Sequence, residues 1–236
     1  MVNKTLVLLV VPPEVPAPGG AQARIPMDSA DDFAVLAGSS VINMGKTVVH
    51  GGDVGASPGG EVTGFPPGAV THPHNTRGDD DVARQAQVDL KTAYRSAMTA
   101  TATHDLSGQN LGGLTLLPGV YNFSAAAELN GTLTLNNQGD PNARFIFKVG
   151  STLTTATGSA VITINRGPDL GARADVMWLV GASATLGKDS TFEGDILAST
   201  GITMQTDASI RDGSAMTRHG KVTLDSNKIS KGQAPA

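Results

Sequence analysis

Four sets of residues have types and spacings that could support chemistry. His72-Pro73-His74 sets two imidazoles two residues apart, as a pair of metal ligands would be, but proline divides them and no third ligand stands nearby, so a corner loop is the plainer reading. Glu193 and Asp195 alternate along a strand-like run and would share one face, where paired carboxylates could work on a glycosidic bond; two solvated acids on a strand are commonplace. Asp53, flanked by glycines, suits hydrogen bonding to turn amides. None of these makes a catalytic or metal site, and none calls for a cofactor. The fourth set is threonine.

A tripeptide of any residue, an aliphatic and Thr recurs down the chain: Gly113-Leu114-Thr115, Thr132-Leu133-Thr134, Thr152-Leu153-Thr154, Ser183-Ala184-Thr185, Gly201-Ile202-Thr203 and Lys221-Val222-Thr223. The steps between final threonines are 19, 20, 31, 18 and 20 residues. An apolar residue usually stands two past the aliphatic (Leu116, Leu135, Leu186, Met204, Leu224), the alternation of a strand with one face buried and Thr pointing out. Repeats of this length, each with one such strand and further short apolar runs and glycines, mark a solenoid whose single coil cannot bury its own face. The 31-residue step reads as one coil with an insertion around Asn165-Arg166-Gly167-Pro168-Asp169-Leu170-Gly171.

Composition agrees. At 236 residues and 39% hydrophobic the chain can bury a core, while 29 Gly, 13 Pro and only 4% aromatics favour tight corners and thin layers. A net charge of −4 with no visible Lys/Arg stripe recommends neither nucleic acid nor an anionic membrane as partner. Zero Cys excludes disulfides and thiolate metal sites.

Residues 1–23 run from Lys4 through the apolar Leu6–Val11 to Ala21-Gln22-Ala23 and resemble a secretion signal cut after Ala23, leaving a single domain over 24–236; a retained N-terminal strand or loop is the alternative. No run reaches the ~18 apolar residues needed to span a bilayer. Between Phe33 and Val70, Gly-rich text alternates with short Val/Ile runs; Ser40-Val41-Ile42 and Glu61-Val62-Thr63 match the tripeptide in shape and lie 21 apart, one coil, and Phe65-Pro66-Pro67-Gly68 closes the section as a rigid corner. The period then changes. Asp79-Asp80-Asp81 offers N-caps, and Val82, Ala86, Leu90, Ala93 and Ala97 follow at helical spacing, predicting one amphipathic helix over about 79–103 with Arg84, Gln87, Lys91 and Arg95 in solvent. Between the later repeats come runs of a second type, Arg144–Val149, Asp175–Val180 and Thr191–Ile196; the first two are apolar on both faces, as strands between the solenoid interior and the helix would be.

Ala34-Val35-Leu36-Ala37-Gly38-Ser39-Ser40-Val41, Gly52-Asp53-Val54-Gly55-Ala56-Ser57-Pro58-Gly59, Val62-Thr63-Gly64-Phe65-Pro66-Pro67-Gly68, Leu116-Leu117-Pro118-Gly119-Val120-Tyr121 and Thr223-Leu224-Asp225-Ser226-Asn227 together resemble the ice-binding proteins of the DUF3494 type, over roughly residues 32–229. The resemblance implies a mainly β fold, a discontinuous, right-handed, triangular β-solenoid with one long α-helix packed alongside, binding ice through one flat face. Many members carry a Cys pair, which this chain lacks. Ice offers no charge to pair and no pocket to fill, so regular spacing is what recognises it. Stacked strands place equivalent residues ~4.8 Å apart, and i to i+2 residues stand ~6.7 Å apart along each strand. Thr is stiff at its first rotamer, so its methyl and hydroxyl hold their places. The expected ice-contact residues are Thr63, Thr115, Thr132, Thr134, Thr152, Thr154, Ser183, Thr185, Thr203 and Thr223, with Gly113, Gly201, Lys221, Gln205 and Asp225 as irregularities. The plain alternative is that Thr is simply a good strand residue. The implied partner is an ice surface, the implied protein a secreted, non-enzymatic monomer. The rival is a β-solenoid that handles carbohydrate, as lyase, hydrolase or adhesin module; a lyase would be expected to show clustered Asp with Arg or Lys in a groove, and a sugar-binding face exposed aromatics, whereas this chain has one Trp and two Tyr.

Overall fold

Short strands in which every second side chain is apolar can bury that side only by stacking on copies of themselves, and this chain does so on three sides. The computed structural model describes residues 24–167 and 175–232; the proposed secretion signal lies outside them, as does the insertion beyond Gly167. Three sheets, of nine, seven and eight strands, are built from parallel pairings. The helix-side sheet runs, edge to edge, through Thr76–Gly78, Asp53–Ala56, Phe33–Ala37, Ala215–Thr217, Asp195–Ala198, Asp175–Val180, Arg144–Val149, Gly119–Phe123 and His104–Asp105. The threonine sheet comprises Ala127–Leu129, Leu153–Thr155, Ser183–Leu186, Gly201–Met204, Val222–Asp225, Ser40–Met44 and Glu61–Thr63. The third sheet holds Ala69–Val70, Val48–His50, Lys228–Ser230, Ser209–Arg211, Thr191–Glu193, Ala160–Ile164, Thr132–Asn136 and Thr115–Leu116.

Strand order shows the discontinuity. Val35 pairs with Ala215 and Val41 with Val222, so the N-terminal coils stack on the C-terminal coil while the middle of the chain forms the other end. The polypeptide must therefore travel the length of the stack between Thr76–Gly78 and His104–Asp105, the two edges of the nine-stranded sheet. Helix α1, Asp81–Met98, makes that passage. Its 18 residues cover about 27 Å, and eight strand spacings come to roughly 38 Å, the difference being made up by the flanking segments.

The helix begins where the acidic run placed it: the Asp80 carboxylate accepts the Ala83 amide at 2.8 Å. Its buried face is Ala83, Ala86, Gln87, Leu90, Ala93, Tyr94 and Ala97, packed on Phe33, Leu36, Val120, Ile146, Met177, Leu179, Leu197 and Met216. Two expectations are corrected. Val82 is 42% exposed, its place in the stripe taken by Ala83, and Gln87 is only 2% exposed because its Nε2 donates to the Thr217 carbonyl at 3.0 Å. The helix also stops at Met98, where the Lys148 ammonium donates to the carbonyls of Met98 and Ala100 at 2.9 and 3.0 Å, satisfying acceptors the helix end leaves open.

Strands Arg144–Val149 and Asp175–Val180 do lie between two cores: Ile146, Met177 and Leu179 face the helix, while Phe147, Trp178 and Val180 face inward. Inside, His104, Tyr121, Phe147 and Trp178 stack at centroid distances of 5.1, 5.3 and 3.8 Å along successive coils. The third apolar run is not one strand. Thr191–Glu193 belongs to the third sheet and Asp195–Ala198 to the helix-side sheet, and the chain turns between them at Gly194, with φ +103° and only 2.5 Å from its would-be Cβ to the Val176 carbonyl oxygen.

Candidate functional site

The pairing register decides which threonines share a face. Glu128 lies opposite Thr154, Thr154 opposite Thr185, Thr185 opposite Thr203, Thr203 opposite Thr223, Thr223 opposite Ile42, and Ile42 opposite Thr63. From Thr154 to Thr63 this single column crosses the chain discontinuity without a charged residue, and each member is exposed or half-exposed while its neighbours Leu153, Ala184, Ile202, Val222 and Val41 are buried. Every member is β-branched and so restricted at χ1, with little side-chain entropy left to lose. Ile42, 37% exposed, takes the place that the tripeptide match of Ser40-Val41-Ile42 with Glu61-Val62-Thr63 gave it, one coil from Thr63, although it was not among the expected ice-contact residues.

Beside this column runs a looser one. Ser183 lies opposite Gly201 and Ser40 opposite Glu61, with Thr152 just ahead of the strand Leu153–Thr155 and the exposed Lys221 just ahead of Val222. Met44, 55% exposed, and Asp225 lie opposite each other on the far side, where the Thr206 hydroxyl donates to Asp225 Oδ2 at 2.5 Å.

Thr115, Thr132 and Thr134 are elsewhere. They sit on the third sheet, where Thr134 pairs with Thr115 on one side and Ile162 on the other, and Thr132 with Ala160. The ladder read from the sequence thus joins two faces. The step from Thr134 to Thr154 has the length of a coil but crosses a corner; the in-register partner of Thr154 in the preceding coil is Glu128. The 31-residue step from Thr154 to Thr185, by contrast, is one coil.

The other sets resolve into structure. Glu193 and Asp195 share no face, since Gly194 turns the chain between them. Glu193, 4% exposed, accepts the Thr163 hydroxyl at 2.5 Å and pairs with Arg166, which also bonds Asp212 at 2.9 Å; Asp195 accepts the Ser214 hydroxyl at 2.6 Å. Burial raises the Glu193 pKa above the ordinary 4.5, partly opposed by Thr163 and Arg166. Asp53 does accept the Asn75 amide at 2.9 Å, as a turn aspartate should, but it also pairs with Arg77 and lies 3.5 Å from His74. His74 therefore faces a carboxylate at a corner, and among the described residues no three His, Cys, Asp or Glu converge on a metal position.

A family model described as ice-binding-like matches residues 35–230. The chain belongs to the ice-binding-like family. An ice-binding protein of Nostoc sp. (strain HG1) is 48% identical over 204 residues, covering 86% of this chain and 73% of the relative. Two crystal structures have the same fold: an ice-binding protein from an Antarctic biological consortium, 37% identical with TM-score 0.83 over 92% of this chain and 95% of that one, and one from the Antarctic ascomycete Antarctomyces psychrotrophicus, 38% identical with TM-score 0.81 over 89% and 99%. The mainly β solenoid with one helix alongside is thus the family's fold.

Proposed function

We propose that this member of the ice-binding-like family adsorbs to ice through the threonine sheet, limiting ice growth and recrystallisation without catalysing a reaction. The observation that carries this reading is the uncharged column Thr154–Thr185–Thr203–Thr223–Ile42–Thr63, held in register on one sheet. Such a surface suits a partner that is itself a lattice of neutral donors and acceptors. Methyl groups exclude disordered water, hydroxyls anchor what remains, and the ~4.8 Å spacing of strands repeats along the column. Thr152 and Ser183 extend the same face; Thr115, Thr132 and Thr134 lie on the third sheet and are not part of it.

The protein is proposed to act outside the cell as a monomer, in keeping with the signal-like residues 1–23 and with a contact surface complete within one chain. The carbohydrate reading loses its motif, because Glu193 is locked to Arg166 and separated from Asp195 by a corner. The purified protein should keep ice grains small in a recrystallisation assay at concentrations where an unrelated protein of similar size does not. Grain growth equal to that control would contradict the proposal.

A further inference from the structure

A parallel sheet left to itself twists, each strand rotating by roughly −20 to −25° on its neighbour, and sheets that stay flat over many strands use stacking or side-chain ladders to do so. The threonine column would lose its grid under that twist. The place with the least covalent support is the junction where the strand Val222–Asp225 meets Ser40–Met44, because these strands come from opposite ends of the chain and no short connection joins one to the other.

One buried residue spans this junction, its side chain bonding one way and its backbone N–H the other. Asn227 is 0% exposed. Its Nδ2 donates to the carbonyls of Gln205 and Ala208 at 2.8 and 3.0 Å, its Oδ1 accepts the Asp225 amide at 2.7 Å, and its own amide donates to Thr47 Oγ1 at 3.0 Å. Thr47 is also 0% exposed and stands 180 residues away in sequence. Gln205 follows Thr203 by two residues, Asp225 follows Thr223 by two, and Thr47 lies on the corner after Ile42. A single asparagine thus holds the corner ends of three successive strands, those bearing Thr203, Thr223 and Ile42. Buried polar atoms with all partners supplied fix geometry, because moving any strand leaves a desolvated group unpaired. Similar but smaller links flank it: Thr155 Oγ1 accepts the Gly187 amide at 2.8 Å, and Asn43 Nδ2 donates to the Gly64 carbonyl at 2.8 Å.

We propose that Asn227 and Thr47 form a pin that keeps the outward side chains of Thr203, Thr223 and Ile42 in one plane across the chain discontinuity, making them positioning residues for ice contact. This rests on the threonine sheet being the ice-binding face. Asn227 itself touches no ice; it acts through the strands it joins.

The most direct test uses the full-length protein and the substitution Thr47→Val, which keeps shape and removes only the oxygen that accepts from Asn227. Thermal hysteresis should fall several-fold and fluorescently labelled protein should mark fewer planes of a single ice crystal, while Thr47→Ser, which restores the acceptor, recovers both. Leu90→Ala, a cavity under the helix on another side of the solenoid, should lower the melting temperature at least as much yet leave hysteresis unchanged near the freezing point, where it stays folded. Asn227→Ser provides a second variant with the same expected loss of hysteresis. Full activity in folded Thr47→Val, or loss in Leu90→Ala in step with its melting temperature, would overturn the pin. Should Thr203→Tyr also keep full activity, the face assignment falls along with it; loss in Thr203→Tyr alone removes the pin and leaves the face standing.

Discussion

Position 42 separates the two groups that a threonine offers on this face. Isoleucine keeps the β-branch and its methyl but carries no hydroxyl, and it sits between Thr223 and Thr63 in the column. If the methyl array matters here, Ile42→Lys should reduce thermal hysteresis markedly although a surface change of this kind shifts stability by only about 0.5 kcal/mol. Equal hysteresis in wild type and Ile42→Lys would end the column at Thr223. Glu193 raises a different question, that of pH. Its folded-state pKa lies above 4.5, so the folded protein holds this proton more tightly than the unfolded chain does. The stability it contributes is fully present below the unfolded value and is lost as pH rises through the folded one. The melting-temperature advantage of wild type over Glu193→Gln should accordingly shrink from acid pH to neutrality, and a constant difference in calorimetric scans would contradict the burial effect.

At the scale of elements, α1 shows how far the sequence could be read. The acidic run and the Ala/Leu spacing located the helix, but the choice between Val82 and Ala83 depends on which side of it meets Leu36, Leu179 and Met216, residues far from it in sequence. Gln87 reads as a solvent residue because nothing local reveals the free Thr217 carbonyl that comes to it from the far end of the chain. Ala93 was placed correctly and is 2% exposed. Ala93→Glu would bury an unpaired carboxylate there, a change that typically costs several kcal/mol. A large drop in melting temperature is expected, and an unchanged one would mean the helix does not rest on this face. Lys148 and Glu193 make poor neutral controls for activity, the first because it caps the helix and the second because it is buried in an ion pair.

Over the whole molecule, the solenoid was legible because its coil length recurs, and the face assignment was only half legible for the same reason. Two of the three sides carry the pattern of aliphatic inside and Thr outside, since alternate burial along a strand produces it on any side, with or without a partner. A spacing near 20 residues therefore arises both from following one face and from stepping across a corner, as between Thr134 and Thr154. Nor does spacing reveal that Thr63 and Ile42 complete a column begun at Thr154, because that requires the chain to return along α1 and stack its two ends together. The central claim is that this assembled column is the ice-contact surface. The measurement that tests it most directly is thermal hysteresis of Thr185→Tyr and Thr203→Tyr, set beside Val88→Tyr at a helix position that is 56% exposed. The account predicts that both column variants lose most of their hysteresis with melting temperatures close to wild type, while Val88→Tyr keeps its activity. Full activity in the column variants, or an equal loss in Val88→Tyr, would contradict it.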